Sequence, residues 1–175
     1  SAYRHPFVYL VEAADDICYR IIDMEDAHRI GILSREAIEA TFLMLIGEMS
    51  DNTDRTKEVL TKITDNNEAI SYLRAKCING LVNKAAETFF KNCQEIIWGR
   101  FNSTLMDEVE KQCPYLKKIN DISIQKIYNH PSVIEVEMAG YNVMSEILSV
   151  FVTAVLNENR KKKKKKCLHL IPDQY

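Results

Sequence analysis

The 175-residue sequence predicts an all-α fold, and three observations point there. Apolar residues recur at three- and four-residue intervals through most of the chain, only five Gly and four Pro punctuate it, and 46% apolar with 27% charged residues is the balance of a single globular domain. This composition excludes a disordered or collagen-like chain, and so little turn punctuation excludes an all-β sandwich or barrel of this length. A chain of this size buries roughly two thirds of its unfolded surface, enough for a core without covalent staples.

The elements follow in order. Pro6 suits a first helical turn, where its missing N–H has no partner to lose, and Phe7, Leu10, Val11, Ala14, Ile17, Cys18, Ile21 and Ile22 then repeat at helical spacing up to a stop at Gly31. Ser34 reads as the N-cap of a second helix with Ile38, Phe42, Leu45, Ile46 and Met49 on its apolar side. A polar loop over 50–53 and a shorter helix over 54–63 come next. Over 67–98 the series Ile70, Leu73, Cys77, Leu81, Ala85, Phe89, Cys93 and Ile96 predicts one helix about 45 Å long, with Gly80 marking close packing. Trp98, Phe89 and Phe90 at its end read as core or subunit-interface residues. Thr104 with Asp107 predicts a capped helix to about Gln112, Pro114 opens another short segment, and His130-Pro131 marks a boundary. Over 132–156, Val133, Val136, Ala139, Val143, Ile147, Val150, Phe151 and Ala154 predict a helix buried on more than one side, its centre in the core.

Organisation is expected as a helical part over 1–159 and a lysine-rich segment with tail over 160–175. The most apolar stretch, 144–156, is interrupted by Glu146 and falls short of the roughly 20 residues a bilayer demands, so no membrane segment is expected. Five cysteines, Cys18, Cys77, Cys93, Cys113 and Cys167, lack any CxxC pair, which argues against a disulfide framework or a thiolate zinc site and for a reducing, cytoplasmic setting. The six lysines over 161–166 would attract phosphate, and a nucleic-acid partner is one reading of them, but no aromatic residues interleave to stack bases and the net charge is -2.

The chemistry concentrates on the first helix. Asp15, Tyr19 and Asp23 stand at i, i+4 and i+8, so a carboxylate, a phenol and a second carboxylate rise along one face, with Glu12 and Asp16 beside them. Oxygen donors next to the small Ala13-Ala14 step suit a hard cation or a polyhydroxyl ligand; the plain alternative is a solvated acidic face.

Specific segments narrow the choice. Arg4-His5-Pro6, then Tyr9-Leu10-Val11-Glu12-Ala13-Ala14-Asp15-Asp16-Ile17-Cys18-Tyr19-Arg20, then Asp23-Met24-Glu25-Asp26 resemble a signature of the HD-domain deoxynucleoside triphosphate triphosphohydrolases, the dGTPase family. The resemblance continues through Tyr72-Leu73-Arg74-Ala75-Lys76 with Ile78-Asn79, through Glu137-Met138-Ala139-Gly140-Tyr141, and into Leu170-Ile171-Pro172-Asp173-Gln174-Tyr175. It implies a multi-helical HD-domain-like fold and cleavage of a deoxynucleoside triphosphate, dGTP foremost, into deoxynucleoside and triphosphate. It also implies a divalent metal (Mg, Mn, Fe, Ni, Co or Zn) with Asp15 as one ligand, contacts of Tyr19 and Asp23 with the deoxyribose 3′-hydroxyl, and a homo-oligomer. A phenol and an ionised carboxylate can together donate to and accept from such a hydroxyl.

One departure from the family stands out. The family's metal also takes a histidine and a His-Asp pair, yet this sequence has no His-Asp dipeptide, and His5, His28, His130 and His169 do not occupy the upstream ligand positions. One carboxylate does not define a cation cage, so tight metal binding by this chain alone is not expected. The expectation is a C-terminal portion of a longer enzyme, or a truncated relative, incompetent alone, with His5 as a helix-entry residue. No further catalytic residue is assigned within it. Arg74 and Lys76, near Asn79 and Lys84, are candidate phosphate contacts, against a solvated helix face as the alternative. Tyr141 is a candidate nucleotide contact, against a buried tyrosine with one satisfied hydrogen bond. A different class of function, a non-catalytic helical module for nucleotide binding or oligomerisation, fits the same scaffold.

Overall fold

Residues 4–49 and 53–156 are described by the computed structural model, and all regular elements among them are helical. Helix α1 (Pro6–Arg29) starts with Pro6 in its first turn and His5 as its N-cap, the ring nitrogen Nδ1 accepting from the Phe7 N–H at 3.2 Å. It is followed by Gly31 at φ 81°, a left-handed conformation that a side chain would strain. Helix α2 (Arg35–Met49) is entered through Ser34, whose hydroxyl accepts from the Ala37 N–H at 3.3 Å, and α3 (Thr53–Leu60) is short. Helix α4 (Asn66–Lys91) is capped by Asp65, which accepts from the Glu68 N–H at 2.8 Å.

The single helix expected over 67–98 is broken. At Asn92 the side-chain amide donates to the Thr88 carbonyl at 2.8 Å, in competition with the backbone ladder, and a separate turn, α5 (Cys93–Ile97), follows. Side-chain competition of this kind leaves the apolar spacing intact, which is why periodicity alone ran the two together. Helix α6 (Leu105–Gln112) carries the expected reciprocal capping box between Thr104 and Asp107. Helix α7 (Tyr115–Ile122) has its first N–H accepted by the Glu48 carboxylate of α2 at 2.8 Å, and it runs into a π-helical turn, Ser123–Tyr128, that no spacing rule signals.

Contacts divide the chain into two compact units, Ser1–Tyr128 and Asn129–Tyr175, whereas the boundary expected at 159/160 lies outside the described residues. In the first unit α4 is the central element, packed against α1, α2 and α6. Ile70, Leu73, Cys77, Leu81 and Ala85 form its buried seam. Facing it, α1 buries Tyr9, Ala13, Ile17, Ile21, Met24 and Ala27. This corrects the apolar face assigned above, for Phe7, Leu10, Val11, Ala14 and Cys18 are exposed. The apolar residues of α1 cover more of its circumference than one neighbour can bury, and packing selects the seam that meets α4. At Gly80 a Cβ would come within 2.9 Å of the Met49 sulfur, so α2 approaches α4 closely there, in line with the close packing expected at this glycine. Cys18, Cys77, Cys93 and Cys113 are free thiols, and burial pushes the Cys77 thiol far above its ordinary range.

The second unit overturns a second expectation. Helix α8 (Pro131–Leu156) buries only Ala154 among its described residues, and Val136, Val143, Ile147 and Val150 are exposed rather than central to a core. The helix also extends the apolar run beyond 144–156: by length and composition alone it could cross a membrane, a weak indication because helices covered by protein pass the same test. The lysine run over 161–166 lies outside the described residues.

The capping box makes a test of the fold. Thr104→Ala removes the hydroxyl that holds the Asp107 N–H and should lower unfolding free energy by about 1 kcal/mol, read as a downward shift in the thermal midpoint.

Candidate functional site

With its seam turned to α4, α1 presents Asp15, Tyr19 and Asp23 on successive turns away from that seam. Asp15 is exposed, Tyr19 is 56% exposed, and Asp23 is half-buried. Asp23 is held from outside its own helix: the Tyr128 hydroxyl, at the end of the π turn, donates to Asp23 Oδ2 at 2.6 Å. The Tyr128 ring also meets the Tyr19 ring, tilted by 33° with centroids 5.7 Å apart. Burial, with hydrogen bonds to Asp23 and Tyr19, drives the Tyr128 phenol well above its usual range, so it stays a donor. One residue on, Ser123 donates to the Met24 sulfur at 3.9 Å, so the π turn grips α1 at two adjacent positions.

Of the neighbouring acids, Glu12 is already engaged with protein through one of its oxygens. Arg4 pairs with Glu12 while its guanidinium lies 4.6 Å above the Tyr9 ring, and Arg20 reaches Glu110 of α6 at 2.8 Å. Partial burial raises the Asp16 carboxyl; Arg20 opposes this, and the charges of Asp15, Asp107 and Glu12 reinforce it. Among the described residues no three His, Cys, Asp or Glu side chains gather closely enough to hold a metal ion. The described residues therefore do not by themselves make a complete metal centre, and Asp15 is a single exposed carboxylate.

The other candidates fall elsewhere. Arg74 Nη1 is committed to Glu25 Oε2 at 2.7 Å, inside a network where Glu25 also accepts from Ser71 at 3.0 Å and Arg29 at 3.1 Å. Glu25 is 2% exposed, so Arg74 is in the first place the partner of a buried charge. Its outer edge joins Ile22, Ile78 and Val82 in a shallow cleft. Lys76 lines a different cleft, about 320 Å³ in volume, with Asn79, Asn83 and Lys84. Asp15, Tyr19 and Asp23 line neither of these clefts. Tyr141, in the second unit, is 71% exposed with its hydroxyl 3.5 Å from Glu137 Oε1, which corrects the alternative that it is buried.

Set against known proteins, the chain is 33% identical over 172 residues to a deoxyguanosinetriphosphate triphosphohydrolase-like protein of Synechocystis, an alignment covering 98% of this chain. It is 28% identical over 185 residues to the deoxyguanosinetriphosphate triphosphohydrolase of Salmonella paratyphi A, and 29% identical over 158 residues to that of Yersinia enterocolitica, covering 97% and 85% of this chain. The chain is related to the dGTPase family. No protein-family model matches it. This chain spans only 37%, 36% and 31% of the lengths of those three dGTPase relatives.

Two residues that shape this face of α1 were not singled out by the sequence. Tyr128 sits 105 positions beyond Asp23, so no local spacing could pair them. Glu25 stands in the sequence only within the segment Asp23-Met24-Glu25-Asp26, and its i+4 relation to Arg29 is the local signal of a partner.

Two outcomes test this geometry. Arg74→Met leaves the Glu25 charge short of a partner and should cost about 2 kcal/mol of stability, whereas a residue serving only ligand would leave chemical denaturation unchanged. The raised Asp16 carboxyl means that the folded chain binds this proton more tightly than the unfolded one, so its contribution favours folding at low pH and is lost as pH rises through the carboxylate range. Asp16→Asn should accordingly raise the thermal midpoint at about pH 7, with the difference shrinking toward about pH 3.

Proposed function

We propose that this chain is the part of a dGTPase-like triphosphohydrolase that recognises the sugar of a deoxynucleoside triphosphate, dGTP foremost, and contributes one metal carboxylate. The observation that carries this reading is the open face of α1, where Tyr19 and Asp23 stand one turn apart with Asp23 anchored by Tyr128. Support also comes from relatives named deoxyguanosinetriphosphate triphosphohydrolases that align with nearly the whole chain. Asp23 accepts from a sugar hydroxyl and Tyr19 donates to it, which places the deoxyribose against the helix. In the reaction, water adds to the α-phosphorus, the bond to the 5′-oxygen breaks, that oxygen takes the proton, and triphosphate leaves with deoxynucleoside. Asp15 is one ligand of a divalent-metal set whose other members lie outside this chain, so the chain alone is inactive. The protein works in the cytoplasm as a homo-oligomer.

A second reading, a non-catalytic helical module for oligomerisation or nucleotide binding, draws on the exposed apolar length of α8. Triphosphate release by the full-length protein separates the two. Release from dGTP supports the enzyme; bound nucleotide without triphosphate from any deoxynucleoside triphosphate supports the module. In the full-length enzyme Asp15→Ala should abolish metal-dependent turnover, while Tyr19→Phe should chiefly weaken discrimination at the sugar. Full activity in Asp15→Ala would overturn the ligand assignment.

A further inference from the structure

The Asp23 carboxylate has two oxygens, and the fold occupies one of them. Oδ2 accepts from Tyr128, which arrives from the π turn 105 positions along the chain, while among the described residues no hydrogen bond or ion pair engages Oδ1. The same phenol ring backs the half-exposed ring of Tyr19. One residue therefore touches both members of the sugar pair, and the Ser123 hydroxyl secures the turn that carries it to Met24. Single π turns recur at functional sites because their wider winding re-aims the side chains that follow.

We propose that Tyr128 is a positioning residue for sugar recognition, holding Asp23 in one rotamer with Oδ1 free for the 3′-hydroxyl and bracing the Tyr19 ring beside it. This rests on the function proposed above and deepens it. A carboxylate already fixed by its neighbour loses little rotational freedom when ligand binds, and its remaining acceptor points one way. Without the phenol, Asp23 turns between rotamers and solvates both oxygens, and the 3′-hydroxyl no longer meets a prepared acceptor.

Tyr128→Phe in the full-length protein deletes the hydroxyl and keeps the ring against Tyr19. The measurement compares dGTP with its 2′,3′-dideoxy analogue in triphosphate release, and in calorimetric binding, so that an effect on recognition is seen apart from turnover. For dGTP, kcat/KM and affinity should fall roughly tenfold, with little change for the analogue, so that discrimination for the 3′-hydroxyl contracts by the same factor. Tyr128→Phe combined with Asp23→Asn should lose less than the two single losses added together, because the Tyr128 hydroxyl acts chiefly through the Asp23 carboxylate. An equal loss for both ligands, or an unchanged ratio, overturns the positioning role while leaving the functional reading intact. A wild-type protein that neither cleaves nor binds dGTP overturns both.

Discussion

The placement of every candidate residue on α1 depends on one buried carboxylate. Glu25 enters the α1–α4 interface charged, and its two oxygens are taken by Arg74 and Ser71 from α4 and by Arg29 from its own helix. An ionised group in such a setting is tolerable only when its acceptors are filled, so α1 can neither rotate nor slide along α4 without stranding it. Fixing that side fixes the opposite one. Asp23 lies two residues earlier, about 200° around the helix, and so faces away from α4 wherever Glu25 faces toward it. The acidic face is thus held outward by an ion pair rather than by apolar packing alone.

Around that fixed helix, polar ties outnumber what packing would require. The Tyr9 hydroxyl donates to the Phe101 carbonyl at 2.9 Å, Arg20 reaches Glu110, and Tyr128 reaches Asp23. These three ties rise along α1 and join it to the stretch between α5 and the π turn. A bundle of short helices has many near-equivalent packings, and specific polar contacts of this kind select one of them.

Much of the architecture was legible in the sequence because its signals are local. The proline entry of α1, the serine and threonine caps, the left-handed Gly31 and the close step at Gly80 each depend on residues within a few positions or on volume alone. The i, i+4, i+8 spacing likewise sufficed to put Asp15, Tyr19 and Asp23 on one face. What escaped reading was settled at a distance. Which apolar strip of α1 is buried depends on α4; the break at Asn92 turns on one side-chain amide; the Asp23–Tyr128 pair spans most of the first unit; and the burial expected of α8 needed neighbours that the described residues do not supply.

The make-up of α8 has a geometric consequence. At about 100° per residue, Glu135, Asn142, Glu146, Ser149 and Thr153 gather into a strip about 60° wide, and the wider remainder of the helix is apolar apart from Ser132, Glu137 and Ser145. A flat surface or one parallel helix shields less than half a cylinder. Covering that remainder takes more than one further element, or a continuous apolar phase, and Glu137, on the side away from the strip, has to meet water or a polar partner there.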